Sequence, residues 1–427
     1  MLDYAFYLIY NIVIINNNKN MLQNIRKRLI LDKITKYLST NEIIILHGAR
    51  QVGKTTILLY IQDQLNAKQE KTYFIDLEDS RYLRILDNGV EEFIKHLKEQ
   101  GFEVVENANK KVFVFIDEIQ YLINPSSFLK LIADHYPQIK LIVSGSSSFN
   151  IKNKFKDSLV GRTIDFEIFN LSFTEFLDFK NYYFNINDNH TEKKINELIN
   201  FYEEYALYGG YPKIVLTPEL EMKEKYLQQI IDTYIKKDIR DLAEIKDISK
   251  FNQLIELLAS QSGRLLNMTE LSNTIKLAKP TIERYLFLLE QTYIIRLVRP
   301  YHNNLRSEIS KTAKIFFYDS GLMQMLWLKQ LSKELLGQIF ETSVFSELVK
   351  KYGVEKVAYW RSLDKKEIDF ILKKAESILP IEVKINFAQF HDTAVNYFIK
   401  KHKINNYKIV GLKGDKENKN EIYPWQL

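Results

Sequence analysis

Four short runs of the chain are apolar almost without interruption. Residues 42–48 read EIIILHG, 71–79 KTYFIDLED, 111–119 KVFVFIDEI and 139–147 IKLIVSGSS. Each is too short for a buried helix and rich in β-branched or aromatic residues, so each predicts a strand buried on both faces, as in a parallel sheet. Amphipathic stretches at helical period lie between them. Strands alternating with helices predict a parallel sheet covered by helices on both sides. TIDFEIFNLSF, 163–173, predicts a fifth strand. Ahead of the sheet, Ile25, Leu29, Ile34 and Leu38 recur on one helical face and predict a helix over 21–40.

Beyond Leu171 the pattern turns helical and aromatic, predicting a helical lid over 172–245. Residues 246–325 read as a tighter unit. A helix is closed by Gly263, and a short helix follows from Thr269. Pro280 then stands at a first-turn position that suits proline and opens a third helix, which turns Ile282, Leu286 and Leu289 inward. YIIRLVRPY and KIFFYDS then predict two paired strands, making a winged helix-turn-helix. Residues 335–427 begin with a long amphipathic helix from Gly337 and continue in short strands.

The first twenty residues carry an apolar run over 4–15 but no leading positive charge and no small-residue cleavage site, which excludes a secretory signal. A membrane span needs about 20 apolar residues, and this run is shorter. We read 1–20 as an extension ahead of a true start at Met21 or as a short packed strand or helix, and expect no membrane; the alternative is a segment that touches one. The absence of cysteine removes disulfides, thiol nucleophiles and cysteine-ligated zinc, and fits a cytoplasmic setting. A net charge of +6 over 427 residues permits nucleic-acid binding without arguing for it.

The sharpest chemistry lies at 48–55. Gly48, Ala49, Arg50, Gln51, Val52, Gly53, Lys54 and Thr55 match G-x-x-x-x-G-K-[ST], with a buried strand before and a helix after. Glycines let the loop bend so that successive N–H groups meet phosphates, and the helix adds its positive dipole end. Lys54 is expected on the β and γ phosphates of ATP, the Thr55 hydroxyl on Mg²⁺, and Thr56 beside them. About 60 residues on, four apolar residues precede Asp117 and Glu118. Asp117 is expected to hold Mg²⁺ indirectly and Glu118 to polarise the attacking water. The strand ending at Ser144 would lie next to Asp117 and turn a hydroxyl to the γ-phosphate. Arg162 precedes the fifth strand, where AAA-type ATPases often place an arginine that reaches a neighbouring subunit's γ-phosphate. That role would require a homo-oligomer; the plain reading is a surface ion pair.

Two further constellations follow. In the winged-helix unit, Lys276, Lys279, Thr281 and Arg284 could face DNA from the turn and the third helix, and Arg296, Arg299 and Arg306 from the strands. The alternative is a packing module. Near the C-terminus, EIDFIL and LPIEVK read as a hairpin carrying Asp369, with Glu382 and Lys384 two apart on one strand face. Converging carboxylates offer hard oxygens to Mg²⁺, a lysine beside them can position water for phosphodiester hydrolysis, and Glu341 on the long helix could complete the cluster. The alternative is an inactive ion-pair set.

Taken together, GARQVGKTT, FIDEIQ, SGSSS, YGGYP, YIKKDI, YDSGL and EIDFIL…IEVK resemble a prokaryotic, especially archaeal, family of AAA-type ATPases. Its members carry a winged helix and a C-terminal restriction-endonuclease-like, PD-(D/E)xK domain. The resemblance covers residues from about 25 to the end. It implies an α/β fold: a P-loop parallel sheet over 21–171, then the helical lid, the winged helix and a small nuclease-like α/β domain. It implies ATP and Mg²⁺ at Lys54, Thr55, Asp117 and Glu118, and a nuclease-like cluster at Glu341, Asp369, Glu382 and Lys384. Two functions compete: an ATP-driven switch or motor acting on DNA, and a signalling ATPase that binds a protein partner through inactive C-terminal modules. A small-molecule kinase is disfavoured, because Glu118 directly after Asp117 suits water activation.

Overall fold

The computed structural model describes residues 26–103, 111–145, 159–185, 191–239, 245, 247–301, 312–375 and 377–427. The expectations for residues 1–20, Ser146, Ser147 and Arg306 lie outside them. The chain divides into two compact units, one ending at Ile168 and one spanning Phe169–Leu427.

The first unit is built on five parallel strands: β1 (Ile43–His47), β2 (Lys71–Asp76), β3 (Val112–Asp117), β4 (Ile139–Gly145) and β5 (Thr163–Glu167). Their order is β2-β3-β4-β1-β5. The helices between them are α1 (Lys54–Ala67), α2 (Ser80–Asp87), α3 (Val90–Glu99) and α4 (Pro125–His135). The three inner strands β1, β3 and β4 are buried along their whole length, as unbroken apolar runs require. Ile43, Ile45, Val114, Ile116, Leu141 and Val143 share one core with Phe93 and Leu97 of α3 and Phe128, Leu129 and Ile132 of α4. Successive side chains alternate across a sheet, so Ile44, Leu46 and Ile142 turn to the other face, where α1 packs on β2, β3 and β4.

One expected element is much shorter than predicted. Instead of a helix reaching Thr40, the described part of 21–40 forms one α turn, Leu31–Ile34, and a 3₁₀ turn, Thr35–Tyr37. Leu31 and Ile34 are buried but Leu29 faces solvent, so the periodic face is not all used. The end has a local cause: the Thr40 hydroxyl donates to Tyr37 O at 2.9 Å, a side-chain bond that competes with helix continuation.

The second unit opens with α5 (Phe173–Phe179), α6 (Glu192–Tyr208), α7 (Pro212–Leu216) and α8 (Leu220–Ile230). Next come α9 (Ile248–Ser260), α10 (Met268–Ile275) and α11 (Lys279–Gln291), and an antiparallel pair of β6 (Ile295–Val298) and β7 (Lys314–Phe317). α12 (Ser320–Leu328) leads to α13 (Gly337–Tyr352). The last sheet has β8 (Val357–Arg361), β9 (Glu367–Lys373), β10 (Ile378–Val383), β11 (Lys408–Val410) and β12 (Glu421–Ile422), with α14 (Thr393–His402) between β10 and β11. Its order is β12-β11-β10-β9-β8. β9 runs antiparallel to both β8 and β10, whereas β11 pairs in parallel with β10 and β12. α13 is not the amphipathic helix its sequence suggests. It lies against α6, α12, β7, β8 and β10, and buries residues on nearly every side, from Phe340 through Thr342, Val344 and Ser346.

The two sheet systems of this unit are joined by backbone. Tyr301 N donates to Tyr359 O at 2.5 Å and Tyr359 N donates to Arg299 O at 3.2 Å. The stretch that follows β6 therefore pairs in parallel with the outer strand β8.

Candidate functional site

The loop after β1 owes its shape to two residues with left-handed backbone, Gln51 at φ 62° and Gly53 at φ 96°. Gly53 is the N-cap of α1, where the chain turns sharply into the helix at Lys54. Arg28, itself buried, donates to Val52 O at 2.8 Å and braces the loop from outside. Lys54 is 5% exposed, and its Nζ donates to Ala49 O at 2.7 Å and Gly48 O at 3.1 Å. Burial lowers its pKa to about 8, against the opposing pull of Glu118 and Asp117.

Asp117 ends β3, two strands from β1, and β4 between them carries Ser144 to its side. The Thr55 hydroxyl donates to Asp117 Oδ2 at 2.5 Å, and Ser144 Oγ donates to Asp117 Oδ1. Ser144 thus lies next to Asp117 as expected, but its hydroxyl is spent on that carboxylate rather than turned to the loop. Glu118 has a left-handed backbone, φ 56°, and its N–H donates to Asp117 Oδ1 at 3.1 Å. Gln120 Nε2 donates to the Glu118 carboxylate. Around this mouth lie residues the sequence reading did not single out. Asp76 is paired in register with Asp117, and burial together with Asp76 and Glu118 raises the Glu78 carboxyl. Tyr121 is hydrogen-bonded by Arg50. Thr56 follows on the exposed side of the helix.

Arg162 is elsewhere. Its carbonyl accepts from Ile43 N, at the start of β1, so it lies at the opposite edge of the sheet from the loop that follows His47. Its guanidinium forms a two-pronged pair with Asp134, Nε to Oδ1 at 2.6 Å and Nη2 to Oδ2 at 3.1 Å.

In the C-terminal sheet, the β9–β10 pair brings Asp369, Glu382 and Lys384 together. Lys384 Nζ lies 2.9 Å from Glu382 Oε2 and 3.2 Å from Asp369 Oδ2, and Val383 N also donates to Asp369 Oδ2 at 2.8 Å. Burial, then Asp369, raises Glu382. Burial would raise Asp369 as well, but Lys384 and Lys314 outweigh it and hold it below the usual carboxylate range. Glu341 joins from α13 by way of Lys314, whose Nζ is 3.6 Å from Glu341 Oε1 and 2.6 Å from Glu367 Oε1. The expected metal cluster is therefore not a bare set of acids. Among the described residues no three His, Asp or Glu side chains gather as a metal-holding group, and the ammonium groups of Lys314 and Lys384 lie among these carboxylates.

The expected DNA-facing residues divide. On α11, Lys279 donates to Thr269 at 3.0 Å, and Arg284 lies over the ring of Tyr285 at 5.4 Å. Glu283 and Phe287 are exposed on the same helix. Arg296 departs from expectation: it pairs with Glu355 at 2.9 Å and Glu290 at 3.8 Å, inside the unit.

Comparison with known proteins agrees with this geometry. Residues 40–177 match the model of an AAA domain. The first unit has the fold of a P-loop NTPase. Residues 199–334 and 336–426 match two domains of unknown function, DUF8612 and DUF4143. An uncharacterised protein of Haemophilus influenzae is 27% identical over 92% of this chain and 94% of its own length. An uncharacterised protein of Methanocaldococcus jannaschii is 27% identical over 78% of this chain and 73% of its own. A solved structure, the Walker-type ATPase of Pyrococcus abyssi, is 14% identical, with a TM-score of 0.46 over 71% of this chain and 95% of that one. No helix among the described residues is long and apolar enough to cross a membrane.

Proposed function

We propose that this chain binds and hydrolyses ATP with Mg²⁺ in its first unit, and that it is a switch or motor acting on DNA. The observation that carries the first half is the 2.5 Å contact between the Thr55 hydroxyl and Asp117. It joins two hard oxygen donors, one from the loop and one from a strand end, and such a pair suits Mg²⁺. Thr55 and Asp117 would hold the ion, which when bound neutralises phosphate charge. Lys54 and the N–H groups of 48–55 take the phosphates, and Glu118 takes the proton of the attacking water. Arg162 acts on ATP held by a second copy.

One consequence concerns pH. A phosphate partner prefers the ammonium form of Lys54, whose pKa burial has brought to about 8. The cation is present below that pH and lost above it. ATP affinity therefore falls from pH 8 upward, by up to about tenfold per pH unit. Calorimetric titration between pH 7 and 9.5 measures this, and a flat profile would exclude a phosphate-binding Lys54 that loses its proton near pH 8.

For the second half, residues 246–325 are read as a winged helix, with Lys276, Lys279, Thr281 and Arg284 towards DNA. Residues 335–427 are read as a restriction-endonuclease-like domain whose centre is Asp369, Glu382 and Lys384, with Glu341. ATP turnover with and without duplex DNA is the test. The expected result is faster turnover with DNA, together with Mg²⁺-dependent cutting that Asp369→Ala removes. Absence of both would discard DNA as the substrate. A second reading, a signalling ATPase that binds a protein, is favoured by the internal pairing of Arg296 and by Glu283 and Phe287 on the exposed face of α11. It predicts a partner held independently of salt, whereas DNA contact must weaken as salt rises.

A further inference from the structure

The acidic centre of the last sheet contains a cation supplied from outside that sheet. Lys314 belongs to β7, yet its ammonium ends among carboxylates of α13 and β9. It is 2% exposed. Glu367 Oε1 lies 2.6 Å from its Nζ and Glu341 Oε1 3.6 Å. Burial alone would lower its pKa, but Glu341, Asp369 and Glu367 reverse this and carry it above the ordinary lysine value. The other oxygen of Glu367 meets Arg361 at 3.4 Å. Glu341 Oε1 is buried and has no hydrogen-bond partner among the described residues. Its ion pair with Lys314 is thus a charge contact that fills a place where an oxygen-seeking cation could bind.

Lys314 is held there by backbone. It pairs with Val298 of β6 and bridges Leu265 on its other side. Leu266 N donates to Ala313 O at 2.8 Å, and Gly263 N donates to Ile315 O at 2.7 Å. Next to it, Tyr359 OH donates to Thr312 O, and the hydroxyls of Ser262 and Thr342 meet at 2.9 Å. A strand bonded on both sides fixes where the side chain starts, and burial with two carboxylate partners confines its ammonium. At the more exposed side of the centre, Lys384 bridges Asp369 and Glu382. Four carboxylates, Glu341, Glu367, Asp369 and Glu382, thus surround two ammonium groups, and Arg361 adds a third cation on Glu367.

We propose that Lys314 is a built-in counter-cation of this centre, fixed where a second divalent cation would otherwise be drawn, so that the centre takes at most one. The proposal rests on the reading of the centre as one that meets divalent cations. It also gives the centre two owners. The β6–β7 pair supplies the ammonium that keeps Glu341 and Glu367 in place, and Lys314 is a positioning residue rather than a catalytic one.

The test titrates Mn²⁺ into the full-length protein without nucleotide, in an Asp117→Ala background that removes the strand carboxylate of the loop site. Free Mn²⁺ is read by electron paramagnetic resonance. The parent should bind at most one ion at this centre. Lys314→Gln, which keeps an N–H for Glu367 and so preserves the fold, should bind one ion more, or the same ion about tenfold tighter or better. Lys314→Met should do the same where it folds, and Lys314→Arg should match the parent. Two ions in the parent overturn the proposal. So does unchanged stoichiometry and affinity in Lys314→Gln, including no binding in either protein. The nuclease reading is scored separately by Mn²⁺-dependent cutting of duplex DNA. A gain of Mn²⁺ in Lys314→Gln without cutting in any variant upholds the counter-cation and removes the nuclease.

Discussion

Glu118→Gln leaves ATP bound and slows its hydrolysis by about 10²–10⁴-fold. The substitution keeps shape and hydrogen-bonding reach but cannot take a proton from water. Glu118 stands directly after Asp117 with a left-handed backbone, so the carboxylate projects past the strand end instead of continuing along it. Gln120 holds it there, and Asp117 is engaged by Thr55 and Ser144 and so has a separate task. Steady-state turnover and equilibrium nucleotide binding, measured on the same preparation, separate the two effects. Turnover at the parent rate would remove Glu118 as the water-activating group, while loss of binding would mean that it supports the loop instead.

Gly209→Ala should destabilise the second unit by about 2–5 kcal/mol, the sum of left-handed strain and forced overpacking. Gly209 has φ 81°, and a Cβ built there would lie 2.2 Å from Asp319 Oδ1 and 2.7 Å from Asp319 Cγ. Asp319 cannot easily give way. It is buried and caps α12 by accepting from Leu322 N at 2.8 Å; its other oxygen accepts from Gly210 N at 2.8 Å and from Asn170. Denaturant unfolding of the parent and the variant checks this. A variant within about 0.5 kcal/mol of the parent, the range of harmless surface changes, would show that Asp319 moves freely. The contact also explains YGGYP and YDSGL physically: the first supplies a backbone without side chains, and the second a carboxylate that fits against it.

What the chain displays locally was legible. The inner strands β1, β3 and β4 read directly as unbroken apolar runs, and the loop at 48–55 was placed by its glycines and its flanking strand and helix. The last hairpin was legible because Asp369 and Glu382 sit in short apolar frames. Pairings between distant segments were hidden. Nothing in KIFF says that its lysine will meet Glu341 and Glu367, because that depends on how β7 and β9 dock. The pairing of Arg296, read as a residue that could face DNA, was hidden for the same reason, its partner Glu355 being 59 residues away. Ser144 was placed beside the right strand, but its bond to Asp117 was not foreseen, since spacing shows which strand ends are close and not which acceptor a hydroxyl selects. The overlong first helix came from trusting periodicity where a threonine side chain ends the turn.

The backbone ladder between Arg299, Tyr301 and Tyr359 has a practical meaning for anyone dividing this chain. The comparison with domain families suggests a cut near residue 335. A fragment starting there would expose the outer edge of β8 as unpaired amide and carbonyl groups, ready to recruit another strand. It would also strand Glu341 and Glu367 without their lysine. The seam between those two matches is crossed by paired backbone, so a fragment that keeps residues 299–301 together with β8 preserves what a cut at 335 would open.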